Sequence, residues 1–108
     1  MKDLSHPDRP GHLYELENFE TTTIPNQKIQ FIEKEISGKG FGDLKTLYNG
    51  TTNEEVLKML IDRLEKMGKR FPCRENSIAI THIETALLWL NKRTAERKVR
   101  GVEGKALA

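Results

Sequence analysis

Residues 77–97, SIAITHIETALLWLNKRTAER, constrain the fold more than any other stretch. The apolar residues recur at helical spacing, yet they occupy more than one side of a helix. At about 100° per residue, Ile80, Ile83, Ala86, Leu87 and Leu90 fall within roughly 60° of one direction, with Asn76, Thr94 and Arg97 on the same side towards the ends. Trp89 lies about 120° from Ile83 and Ile78 about 140°, with His82 and Arg93 nearby, between them and the first stripe. Leu88 is further round still. A chain of 108 residues forms one small core, because it buries only about two-thirds of its unfolded surface. A single partner helix and a small sheet cannot cover both directions. The second face, with Ile78, His82, Leu88 and Trp89, is therefore expected to meet another copy of the chain. The competing reading is a monomer whose sheet folds over that face.

The rest of the chain supplies the first partner. In TTNEEVLKMLIDRLEKMG, Thr52 precedes Glu55 by three residues in a capping-box pattern. Val56, Leu57, Leu60, Ile61, Leu64 and Met67 follow at helical spacing, and Gly68 is expected to end the helix. Pro72 disfavours helix at Phe71 and suits a fresh start. The pattern predicts helices over 52–68 and 73–100, joined as an antiparallel hairpin. Upstream, HLYELENFE, KIQFIEKEI and LKTLY show strand character separated by turn signals. They predict a three-stranded antiparallel meander within residues 12–50. It needs a partner surface, having so few apolar residues. Residues 1–11 carry two prolines and a glycine and read as a flexible N-terminal arm, which leaves 12–108 as a single α+β domain. SGKGFGD has no P-loop spacing and reads as a mobile loop.

Charge divides unevenly. Residues 1–65 hold 8 basic and 12 acidic side chains, a net of −4, whereas residues 66–108 hold 10 and 4, a net of +6. The second half is thus the expected surface for an anionic partner, or else a solvated face. Cys73 is the only cysteine, which excludes an internal disulfide and fits a reducing compartment. No stretch approaches the roughly 18 apolar residues of a membrane span. His6, His12 and His82 are scattered, so no metal cluster or cofactor is expected, and no triad of nucleophile, base and oxyanion donor stands out.

The densest chemistry is RFPCREN at the start of the second helix. A helix N-terminus attracts phosphate. Arg74, with Arg70, can hold phosphate oxygens in a bidentate manner, Phe71 offers a stacking face, and Asn76 matches the donor–acceptor edge of adenine. Arg93 and Arg97, farther along, suit a ligand shared with a neighbouring subunit. The plainer reading makes Phe71 a plug, Asn76 a cap and the arginines solvated.

Taken together, NGTTNEEVLKMLIDRL and FPCRENSIAITHIETALLWLNKRTAERKVRGVEGK resemble the helical hairpin of phage immune-evasion sponges, the Thoeris anti-defence and related anti-CBASS proteins. The likeness spans about residues 12–105 and is strongest from Asn49 onward. The strand-rich segment resembles the Thoeris group. The resemblance implies a non-catalytic protein, in the cytoplasm of an infected bacterium, that holds cyclic nucleotide signals intact. It implies cyclic ADP-ribose isomers as ligands, with cyclic di- or trinucleotides at separate sites in some members, and no nucleic-acid or membrane partner. It implies a homo-oligomer, a dimer or a hexamer built as a trimer of dimers. Asn76 and Arg93 then stand as ligand contacts and Phe71 as a stacking group, while Arg74 and Arg97 are added on chemistry. His82 and Thr85 occupy positions where more strongly charged residues are expected. A small nucleic-acid-binding protein and a cyclic nucleotide hydrolase are the competing functions.

Overall fold

The computed structural model describes residues 1–20, 23–36 and 44–99. The glycine-rich stretch 38–42 and the tail from Arg100 lie outside them. The chain is α+β: small antiparallel sheets precede two packed helices. It divides into two compact units, Met1–Thr52 and Asn53–Ala108.

Among its described residues the first unit holds five strands rather than three: β1 (Lys2–Asp3), β2 (Leu13–Leu16), β3 (Gln27–Gln30), β4 (Glu33–Ile36) and β5 (Leu44–Tyr48). They form a three-stranded sheet in the order β1-β2-β3 and a separate β4-β5 pair, all antiparallel. Lys2, Glu15 and Lys28 stand opposite one another across the first sheet, an alternation of charge that favours this register. Tyr14 faces Ile29, and its ring meets Phe31 edge-on with centroids 5.9 Å apart.

The expected single strand over KIQFIEKEI is broken, because its backbone changes partners. Phe31 N–H donates to His12 O, the next amide, Ile32 N–H, donates to Thr51 O, and Thr51 N–H returns to Gln30 O. Gly50 makes this crossing possible. A Cβ there would collide with the Gln30 carbonyl oxygen and stand 2.7 Å from the Phe31 carbonyl carbon.

The first eleven residues are not a loose arm. The Asp3 carboxylate accepts N–H bonds from Ser5 and Gly11, and Ser5 Oγ accepts those of His12 and Leu13. Gly11 closes the turn at φ 89°, where a side chain would be strained. Arg9 Nε donates to Glu33 Oε2 at 2.6 Å, and Glu33 is buried, with only 4% of its surface exposed.

The second unit is the helical hairpin, α1 (Asn53–Arg70) and α2 (Arg74–Val99). Thr52 occupies the position before the first helical residue, as the capping pattern requires, and Glu54 and Glu55 place acid in the first turn. Gly68 does not end α1. The helix continues two residues further, and Phe71 N–H still bonds Met67 O. Val56, Leu57, Leu60, Ile61 and Leu64 of α1, and Ile80, Ile83, Leu87 and Leu90 of α2, are half-buried where the helices pack. Ala86 and Met67, expected in these stripes, are exposed at their edges. Among the described residues no hydrophobic side chain is fully buried.

Candidate nucleotide site at the hairpin end

Three residues, Phe71, Pro72 and Cys73, turn the chain between the helices. Proline cannot continue α1 but is tolerated immediately before a helix. Cys73 then takes the capping position. Its carbonyl accepts from Ser77 N–H at 3.2 Å and from Ser77 Oγ at 3.3 Å. Its thiol donates to Glu75 Oε2 at 3.1 Å, and this bond, aided by the backbone amide, holds the Glu75 carboxyl below the usual glutamate range.

Beside the turn lies an open cleft of about 630 Å³. Leu64, Pro72 and Ile80 give it apolar wall, while Glu65, Lys69, Arg74 and Asn76 give it polar groups. That volume lies within the range of small-ligand sites, roughly 300–1,000 Å³. Arg74 sits in the first turn of α2, where the free amides already favour an anion.

The expected site residues separate into two groups. Arg74 and Asn76 share the cleft. Phe71 stands next to it, 64% exposed, with the Arg70 guanidinium 5.7 Å from its ring centroid. Arg93 and Arg97 are elsewhere: Arg93 is 17 positions beyond Asn76 on one continuous helix, roughly 25 Å at 1.5 Å per residue. Arg93 is exposed and Arg97 half-buried. Lys69 and Glu65 were missed in the sequence. Their signal was helical spacing, since both lie within five residues of Leu64 in α1. Ile78, His82, Leu88 and Trp89 are all exposed, Trp89 at 62% with Lys92 Nζ 4.9 Å from its ring centroid.

The hairpin is also what comparison with known proteins detects. The family model for the Acb2/Tad1 hairpin domain matches residues 34–95, more than half of the chain. The chain belongs to this family. Over 57 residues it is 58% identical to Thoeris anti-defense 1 of Bacillus phage SBSphiJ7, an alignment covering 52% of this chain and 40% of that protein. The family match takes in all but the first residue of β4, all of β5 and α1, and most of α2, so the cleft and Arg93 fall inside the Acb2/Tad1 hairpin while Arg97 lies just beyond it. No helix among the described residues is long and apolar enough to cross a membrane.

Proposed function

We propose that this chain is a phage anti-defence sponge. It binds cyclic nucleotide immune signals and sequesters them without cleavage, so that the bacterial effector is starved of activator. Its ligands are cyclic ADP-ribose isomers, with cyclic di- or trinucleotides as further candidates. The observation that carries the reading is the coincidence of the Acb2/Tad1 match with the hairpin that bears the cleft. A cation-bearing cleft at a helix N-terminus suits phosphate, and Asn76 supplies a donor and an acceptor for a base edge.

Retention needs no reaction. A ligand enclosed between subunits, with each phosphate paired, dissociates slowly. Arg74 and Asn76 of one copy hold the ligand from the cleft, Phe71 stacks beside it, and Arg93 and Arg97 close it from a second copy. The homo-oligomer is a dimer or a trimer of such dimers.

Native mass spectrometry of the chain mixed with a panel of cyclic nucleotides tests this reading. The expected result is a complex of defined stoichiometry that yields the intact nucleotide on denaturation. Recovery of a hydrolysed product would replace the sponge with an enzyme. Tight binding to duplex DNA that collapses with salt, and none to cyclic nucleotides, would replace it with a nucleic-acid-binding protein.

A further inference from the structure

We propose that Gly68 sets which part of the ligand enters the hairpin-end cleft: its missing side chain leaves a bare floor on α1, against which a flat base lies with its edge at Asn76. This role rests on the proposed nucleotide reading of the cleft. It adds where the base lies and names the residue that limits its approach.

Nothing in the fold calls for glycine at this position. Gly68 is inside α1, which runs on to Arg70, and its φ is not positive, so any residue could adopt its backbone. Glycine is the poorest helix former after proline. Nor does it let another element come close. A Cβ at Gly68 would meet nothing within 4 Å beyond its own stretch of helix backbone, whereas one at Gly50 would collide with the Gln30 carbonyl. The helix is weakened at Gly68, and no contact within the fold offsets that.

The open space lies in the cleft, which Gly68 lines, half-buried. Around α1 it sits about 40° from Leu64 and about 60° from Glu65, so the bare patch adjoins the apolar wall on one side and a carboxylate on the other. Gly68 and Asn76 are equally far in sequence from Pro72, the middle residue of the turn, as are Leu64 and Ile80. An antiparallel hairpin brings such pairs to one level, so α1 presents no side chain at the level of Asn76. None of the described residues hydrogen-bonds the Asn76 side-chain amide.

A flat ring fits this arrangement. Its face packs at roughly 3.5–4.0 Å from carbon atoms, and glycine is the residue that lets a ligand approach the backbone so closely. A base on the Gly68 backbone has Leu64 and Ile80 for its apolar surface and the Asn76 donor and acceptor for its edge. A Cβ, roughly 1.5 Å out from the Cα, would lift the ring and draw that edge away from Asn76.

Gly68→Ala and Gly68→Gln test the floor, by equilibrium dialysis with a cyclic ADP-ribose isomer, thermal melting and native mass spectrometry. Alanine and glutamine are better helix formers than glycine, so both variants should melt a few degrees above wild type. Gly68→Ala should bind the nucleotide roughly tenfold more weakly, and Gly68→Gln, whose longer side chain lies across the floor, roughly 100-fold, with the oligomeric state unchanged. Raised stability together with lost affinity is a pairing that a purely structural glycine would not produce. Wild-type affinity in both variants would overturn this role and leave the sponge standing. A lowered melting temperature in both would assign the glycine to the fold, and a changed oligomer would give the floor to a neighbouring copy; either result overturns the role as well. Failure of the wild-type chain to take up the nucleotide would remove the sponge and this role with it.

Discussion

A pocket divided between two chains can be rebuilt from two broken ones. Asn76→Ala and Arg93→Ala are the perturbations. Removing Arg93 deletes hydrogen bonds to a charged group, worth about 1.5–3 kcal/mol, or roughly a 10- to 100-fold loss of affinity. Each variant alone therefore empties both pockets of a dimer at a nucleotide concentration chosen just above the wild-type dissociation constant. In a hybrid dimer, one pocket takes Asn76 from the Arg93→Ala chain and Arg93 from the Asn76→Ala chain, and is wild type. The other pocket carries both lesions. Random reassociation of equal amounts makes about half the dimers hybrid, so about a quarter of all pockets recover. The assay is equilibrium dialysis with a cyclic ADP-ribose isomer after the chains are unfolded and refolded together, with native mass spectrometry counting the hybrids. If both residues hold one ligand, the roughly 25 Å between them on α2 requires this recovery. Hybrids that form at the expected level and still bind nothing would refute the shared pocket, as would a single variant that retains nucleotide as the wild type does.

Three further outcomes follow from the first unit. Gly50→Ala drives a methyl into the Gln30–Phe31 backbone and breaks the bonds that Thr51 makes to Gln30 and Ile32, costing about 2–3 kcal/mol; a melting temperature within a degree of wild type would contradict the close approach. Arg9→Ala leaves the buried Glu33 carboxylate without its guanidinium and costs about 1–3 kcal/mol, discounted because the Arg9 side chain is 42% exposed; adding Glu33→Gln should restore part of the loss in chemical denaturation, and no restoration would place the cost elsewhere. Hydrogen bonds from Ser5, side chain and backbone, and from Gly11 hold the Asp3 carboxyl below the usual aspartate range, so the turn at Gly11 is fully stabilised above that range and loses this contribution as pH falls through the lowered value; the Gly11 amide shift should titrate there, and a midpoint at or above the ordinary value would remove the bond.

The helices were legible because their signals are local. Thr52 three residues before Glu55, the apolar period of α1 and Pro72 each act within one turn, and the hairpin begins and turns where they indicate. Gly68 misled because glycine is read as a terminator, yet it costs an exposed helix only about 1 kcal/mol, and the backbone bond from Phe71 to Met67 carries α1 past it. The strands were less legible because partner choice is non-local. Alternation through Phe31 and Ile32 is unbroken in the sequence, but one amide bonds His12 and the next bonds Thr51. The prolines of the first eleven residues hid a network that depends on Asp3 and Ser5 meeting Gly11, His12 and Leu13. Glu33 looked like the polar face of a strand and is instead the buried anchor of Arg9.

The candidate site was legible in its chemistry and not in its boundaries. Residue type marked Arg74 and Asn76, which share a cleft, but type could not distinguish Phe71, beside that cleft, from Lys69, which lines it. Arg93 follows a different logic, because its distance from Asn76 is fixed by helical rise alone. That distance gains meaning from the second, exposed face of α2, which carries Ile78 and Trp89. Ile78 is 43% and Trp89 62% exposed, so burying the remainder in each of two copies contributes about 3–6 kcal/mol at the usual worth of a large side chain, at the low end of or below the roughly 4–15 kcal/mol cost of association. Such a contact alone leaves association dependent on whatever else bridges the copies. In the proposed shared pocket that bridge would be the nucleotide, held by Asn76 of one chain and Arg93 of the other. On that proposal, holding the ligand and holding the copies together would be one equilibrium, each strengthening the other.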